Sequence, residues 1–545
     1  MNTRVLRQLL SIAGILVLTA CSGGGGGNGS TSGNSSSPSS SSSGGSSTTN
    51  RVCTDPNLPT ASNSAEKVWV ISGASISGNC ATVNGLEIDT GSIDTISSSA
   101  SAILASRGPA TVVSEASAGS TADTFVDFTA PGKAVSSLYH GLNLQWQSKP
   151  FLSLAKYRAL VGQIRVDTLR FPGGQERGQF EADASSSEND DLGLYSPYQF
   201  RLTGEDVRNY IALCNELGIE AQIEVNMTNN DPAMAAKLVD YVVNTLKYDL
   251  KYVSMGNEPE INNFEAWKYW EASNKGEAFA SYLARYQTYA AAIRAVKPDL
   301  TLIFGEFTDV SPEEMDTLFQ PLGGKLNSNL PGAFSNHKYA TGDWGQTPDY
   351  SDYPSIENFT GSAGLARANI YKGIYNFMRQ QADTRLGGGK LFIGEFGASW
   401  SVKPDSSAVH DTIAAALFAA ETLETGKDLG FDGMQWFGIS DPASSSPWNP
   451  SLIAVDGDAM KLRPQYYLYF LYKHLWGDVS AQISGKNRTD NLSVYASKKG
   501  DKNYLMLINR SADQAIDKVV QVTTSSGIRK LNLRAPAHSI SVIQL

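Results

Sequence analysis

Between residues 136 and 438 short apolar runs alternate with longer stretches in which apolar residues recur every three or four positions. The runs are SSLYHGLNLQW, VDTLRFPGG, IEAQIEVNM, KYVSMGNEP, LTLIFGEF, AFSNHKY, KLFIGEFGA and FDGMQWFG. Such runs, bounded by turn residues, read as buried strands, and the segments between them read as amphipathic helices. Helix boundaries are marked as well. Thr203 with Asp206 has the spacing of a capping box, Asp231-Pro232 supplies an N-cap followed by proline, and YLARYQTYAAAIRAV stops at Pro298. Eight strands alternating with helices predict a (β/α)8 TIM barrel over residues 136–464, with enlarged loops. The competing doubly wound sheet lacks its Gly-rich loop after the first strand.

The flanks follow other periods. Residues 465–545 open with QYYLYFLYKHLWGD, a closing helix, and continue in period-two segments joined at one point by a KKGDKN turn, which predicts a small β-sandwich. Residues 51–135 are β-rich, with KVWVISGA and ATVVSEA as candidate strands to complete that sandwich. Residues 21–50 are almost wholly Ser, Gly, Thr and Asn, a composition that cannot bury a core and makes a tether. Residues 1–20 carry Arg4 and Arg7 and then an apolar stretch too short to span a bilayer, the pattern of a signal peptide. The segment ends LTAC, which resembles a bacterial lipobox with Cys21 as the acylated residue, so the chain is expected to be exported and lipid-anchored to a membrane, at the outer membrane or cell surface. Cys53 and Cys80 are candidates for a disulfide in that oxidising compartment. Cys214 shares a helical face with Val207, Ile211 and Leu217 and reads as core.

A net charge of −10 and a pI near 5.2, with no Lys/Arg-rich run, exclude a nucleic-acid partner as the expected class. Barrel enzymes place chemistry at the C-terminal ends of their strands. Those ends carry Asn143 and Trp146, Arg170, Asn226, Asn257-Glu258, Glu306, His337 with Tyr339, Glu395 with Trp400, and Trp436. The set lacks the His/Cys clustering of a zinc site, so neither metal nor cofactor is expected. Carboxylates beside aromatic platforms suit a neutral polyol, the chemistry of a glycosidase. The tripeptide Gly-Glu-Phe occurs twice, around Glu306 and around Glu395.

MGNEPE on the fourth strand and FIGEFG on the seventh resemble the two signatures of the retaining glycoside hydrolases of clan A. LRFPGG on the second strand is similar to the arabinofuranosidase, endoglucanase and heparanase-like branches, and the resemblance spans residues 136–545. It implies Glu258 as acid/base and Glu395 as nucleophile of a double displacement on a plant or algal cell-wall type polysaccharide or oligosaccharide, without cofactor. It further implies Arg170 beside the nucleophile, Asn257 on the sugar 2-hydroxyl, His337 and Tyr339 steadying the nucleophile, and Trp436 as the floor of the sugar site. Asn143, Asn226, Trp400 and Glu306 complete the expected substrate contacts. For Glu306 three roles stay open: substrate hydrogen bonding, a partner of Glu258, or a rim carboxylate. A monomer is expected, and the rival class is a non-catalytic surface glycan-binding lipoprotein on the same barrel. Long loops at 175–200, 340–361 and 441–450, with Trp344, Trp448, Arg177 and Lys338 nearby, would shape specificity.

Overall fold

The apolar runs close into a barrel. In this computed structural model the eight strands are His140–Asn143, Thr168–Phe171, Glu220–Val225, Tyr252–Met255, Thr301–Phe307, Ala333–Thr341, Lys390–Ser399 and Gly433–Trp436. They run parallel in that order and the eighth pairs with the first. The structure describes residues 67–72, 80–83, 86–89, 112–174, 178–183, 200–259, 275–308, 310–341, 359–399, 413–442, 451–457 and 459–545. Cys21, Cys53, Trp344, Trp400, Trp448, Arg177 and the side chain of Cys80 lie outside the described residues, as do most of the three long loops.

The boundary signals act as their chemistry requires. Thr203 Oγ1 accepts the Asp206 N–H at 3.1 Å while Asp206 accepts the Thr203 N–H at 2.9 Å, a full capping box at the start of the helix Gly204–Leu217. Asp231 caps the helix Pro232–Asp240. Cys214 is buried on the first of these helices, and burial pushes its thiol up to about 12, as for an inert core thiol.

Two sheets lie beside the barrel, and the N-terminal strands Lys67–Ser72, Val112–Glu115, Thr124–Asp127 and Lys133–Ala134 belong to them, while Cys80–Val83 and Leu86–Asp89 pair only with each other. A six-stranded sheet has the order Lys67–Ser72, Ser539–Gln544, Lys502–Asn509, Leu492–Lys499, Val479–Ser480, Lys133–Ala134. A five-stranded sheet has the order Gln482–Gly485, Thr124–Asp127, Ile516–Thr524, Gly527–Ala535, Val112–Glu115. Leu505, Leu507, Val494 and Ile543 of the first pack with Val520, Val522, Leu531 and Leu533 of the second. The alternate residues Tyr504, Met506, Ile508, Ile540 and Val542 point the other way, into the barrel's own core. Period-two alternation thus makes the six-stranded sheet a buried middle layer.

One ionic cluster pins this layer to the barrel. Glu421, on the helix Ile413–Leu429, is wholly buried and accepts from Arg510 Nη1 at 2.6 Å, Arg488 Nε at 3.0 Å, Ser493 Oγ at 3.1 Å and Tyr495 OH at 2.7 Å. Among the described residues no helix is long and apolar enough to cross a membrane. Replacing Glu421 with Ala leaves two cations facing a void, and a loss of about 3–5 kcal/mol in urea unfolding is expected.

Candidate active site

The inside of the barrel changes character with height. At its base Leu138, Ile303, Ala333 and Phe392 form a small apolar layer. Above it Gln435 Nε2 donates to Gln222 Oε1 at 2.6 Å, and Gln222 Nε2 donates to Ser254 Oγ at 2.6 Å. The two glutamines belong to strands that are not neighbours, so their contact crosses the interior. Ser254 Oγ then donates to Glu306 Oε1 at 2.6 Å, which carries the column into an ionic layer under the mouth.

Arg170 occupies the middle of that layer with no exposure to solvent. Its Nη1 donates to Glu395 Oε1 at 2.9 Å and to Asn143 Oδ1 at 3.0 Å, and its Nη2 donates to Asn257 Oδ1 at 2.6 Å. Nη2 also lies 2.7 Å from Glu224 Oε2, and Nε lies 3.7 Å from Glu306 Oε1. A guanidinium stripped of water needs this company, and although burial opposes its charge, the three carboxylates raise its pKa further.

Glu306 and His337 form the second half of the layer. Glu306 Oε2 accepts from Ser335 Oγ at 2.6 Å and lies 3.0 Å from His337 Nε2, whose other nitrogen, Nδ1, lies 3.0 Å from Glu258 Oε1. Burial would raise the Glu306 pKa, but Arg170, His337 and Ser254 outweigh it and hold the carboxyl down at about 2. Burial would likewise discharge His337, yet Glu395, Glu258 and Glu306 hold it up at about 10. Glu258 is shifted the other way: burial raises its pKa, the contact with His337 lowers it, and the Glu395 charge raises it, with a net rise.

Exposure orders these groups by depth. The Glu258 side chain is 15% exposed and Glu395 4%, while Glu306 and His337 are fully covered. Glu258 and Glu395 are therefore the carboxylates that a molecule in the mouth can meet. Tyr339 OH donates to Glu395 Oε2 at 2.7 Å, and burial followed by the Glu395 and Glu258 charges drives its own pKa well up.

Several expected contacts are corrected by this depth. Glu306 lies beneath the mouth, against His337 and Arg170, and is neither a rim nor a substrate-facing group. Asn143 is buried, with Nδ2 donating to the Gly394 carbonyl at 2.8 Å. Asn226 shapes its own turn: its Oδ1 accepts the N–H groups of Thr228 and Asn229 at 2.9 and 3.2 Å. His337 steadies Glu258 more closely than Glu395, whose Oε2 is 3.6 Å from Nδ1. Trp436 is fully buried, with its ring edge-on to Phe396 at 5.2 Å, so it is not the floor of the mouth. The next residue, Phe437, is half-buried, and its ring meets Tyr339 at 6.0 Å and flanks Gly174 near Glu395.

Glu258, His337 and Glu395 each bring one ligand atom within 4.8 Å of the others. In the geometry seen here both His337 nitrogens face carboxylates, which satisfies the imidazole as a double donor.

The fold is that of solved glycosidases. No protein-family model matches the chain, and no curated protein matches it. Among solved structures it is similar to a thermostable family 51 α-L-arabinofuranosidase from Thermotoga petrophila RKU-1, at TM-score 0.57 and 15% identity over 78% of this chain and 100% of that one. It is also similar to a family 44 xyloglucanase from Paenibacillus polymyxa, at TM-score 0.52 and 14% identity over 77% and 99% of the two chains. A monomeric β-xylosidase from Caulobacter crescentus CB15 aligns at TM-score 0.51 and 13% identity over 78% and 99%.

The two Gly-Glu-Phe copies interlock. A Cβ on Gly394 would stand 2.0 Å from Glu306 Oε2 and 2.5 Å from Ser335 Oγ, so the glycine before Glu395 makes room for the glutamate of the other copy. Gly394→Ala is expected to destabilise the protein by about 1–3 kcal/mol through overpacking, measured by chemical denaturation.

Proposed function

We propose that the protein is a retaining glycoside hydrolase acting on a plant or algal cell-wall type polysaccharide or its oligosaccharides. The observation that carries this reading is the pair just past strand four and on strand seven, with one oxygen of Glu258 within 4.8 Å of one of Glu395 at the barrel mouth. Retaining enzymes hold their two carboxyls about 5–5.5 Å apart, whereas inverting enzymes leave about 6.5–9.5 Å for a water.

In the first step a Glu395 oxygen bonds the anomeric carbon as the glycosidic C–O bond breaks, and Glu258 gives its proton to the leaving oxygen. In the second, Glu258 takes a proton from water, whose oxygen displaces Glu395 from the same carbon. Arg170 and Tyr339 fix the Glu395 oxygens for attack, Asn257, held through its oxygen by Arg170, is assigned to the sugar 2-hydroxyl by the resemblance alone, and Phe437 supplies an apolar surface at the mouth in place of the Trp436 floor. A glycan-binding protein without turnover has no use for a carboxylate so closely held opposite a second one with a raised pKa.

A panel of aryl arabinofuranosides, xylosides and glucosides, with xyloglucan and arabinan, tests the reading. Glu395→Ala is expected to show no turnover, and Glu258→Ala to lose about 10²–10⁴-fold on poor leaving groups and far less on activated ones. Proton NMR should show the first-formed sugar with the substrate's anomeric configuration; an inverted product contradicts the double displacement. The export reading rests on the apolar leader and LTAC. Labelled palmitate should enter the wild-type chain in a bacterial host and be absent from Cys21→Ser.

A further inference from the structure

Glu306 is the carboxylate that the proposed reaction leaves unused, and it is tied to Glu258 twice. Its side chain reaches Glu258 through His337, by two contacts of 3.0 Å. Its main-chain carbonyl also accepts the Glu258 N–H at 2.9 Å, with both residues in the left-handed region at φ of +51° and +43°. Backbone strain of this kind persists where surrounding contacts over-determine it. Ser254 and Ser335 occupy the two Glu306 oxygens, and Gly394 leaves the space in which the carboxylate sits.

We infer that Glu306 is a positioning residue: by holding His337 Nε2–H it keeps the imidazole cationic, so that Nδ1–H serves whichever of Glu395 and Glu258 carries the negative charge. The inference deepens the glycosidase reading and rests on it. In a double displacement the charge moves: Glu395 loses it on forming the ester, and Glu258 gains it on giving up its proton. Nδ1 lies 3.0 Å from Glu258 Oε1 and 3.6 Å from Glu395 Oε2, so one fixed donor faces both sites and little reorganisation is needed. A neutral imidazole would act against the reaction. With Nε2–H held by Glu306, its Nδ1 lone pair would draw the Glu258 proton away from the leaving oxygen.

The charged and titratable groups around His337 are Glu258 from strand four, Glu306 from strand five and Glu395 from strand seven. Arg170 stands behind Glu306 and Glu395 with Glu224 on its far side, and the Tyr339 phenol lies on Glu395. The high proton affinity of His337, to about 10, and the low one of Glu306, at about 2, agree with this arrangement.

Nitrogen-15 NMR of histidine-labelled full-length protein tests the inference without substrate. The protein has five histidines, and His337→Gln assigns the signal. In wild type His337 should remain an imidazolium across about pH 5–8, where an ordinary histidine titrates. In Glu306→Gln its midpoint should fall by at least about two pH units, into that window, a hundredfold in proton affinity; a midpoint that stays above about pH 8 overturns the inference. If circular dichroism shows that Glu306→Gln does not fold, Glu306→Asp, whose shorter side chain draws the carboxylate back from Nε2, takes its place, with a smaller fall expected and an unchanged midpoint again overturning it.

Kinetics give an independent sign. The alkaline limb of kcat/KM reports the free enzyme's acid. Loss of the His337 charge removes what lowers the Glu258 pKa, so in Glu306→Gln the limb should move to higher pH on any aryl glycoside the wild type cleaves. A move to lower pH, the effect of simply deleting a nearby negative charge, overturns the inference, and so does an unmoved limb with reduced amplitude. Absence of turnover by the wild type across the glycoside panel would instead sink the glycosidase reading while leaving the NMR result standing.

Discussion

A guanidinium held away from water is stable only while anions surround it, and Arg170 imposes that condition on the upper half of the barrel. Glu224, Glu306 and Glu395 come from three different strands, and each must bring an oxygen toward the same cation. Each contact is made without water, so moving any one strand along its axis weakens the attraction to the cation, and the strands are locked in mutual height by electrostatics as well as by ladder hydrogen bonds. The arrangement also fixes a net negative surplus near the mouth, which is what keeps a second cation, the His337 imidazolium, charged in a place where burial alone would neutralise it.

The same layer explains why the barrel interior is polar. Barrels of this kind are commonly filled with branched aliphatic residues. Here the Gln435, Gln222 and Ser254 column connects the apolar base to Glu306, so that the lowest member of the ionic layer stands on hydrogen bonds. Stability in this region comes from satisfied polar groups, and rigidity at Glu258 and Glu395 follows from it.

The barrel was legible because its strands and helices differ in hydrophobic period and its helices carry caps, as at Thr203 and Asp231. The carboxylates Glu258 and Glu395 were legible because each closes an apolar run of the sequence, although Glu258 stands just past its strand and Glu395 within one. Depth was not legible. The ladders slip between Gly305 and Phe307, between Asn336 and His337, and between Ile393 and Phe396, so the in-and-out alternation fails where Glu306, His337 and Glu395 stand. That slip hid the burial of Glu306 and the pairing of His337 with Glu258. Glu224 and Ser254 escaped notice within apolar-looking strands, although Glu224 stands two residues before Asn226 and so on the same face. Phe437 was passed over for Trp436, the larger ring, one position away.

The sandwich joins distant parts of the chain. Lys67–Ser72 pairs with Ser539–Gln544, and Val112–Glu115 pairs with Gly527–Ala535. Contacts of such sequence separation form slowly, because loop closure must precede any gain from pairing. The barrel strands are all synthesised before either pairing can form, so the two sheets finish last. A chain released before residue 539 would leave Tyr504, Met506 and the Lys67–Ser72 edge without their partner strand. The strand Ser539–Gln544 therefore decides whether two other edges are hidden, since a chain that lacks it exposes surfaces by which such chains aggregate.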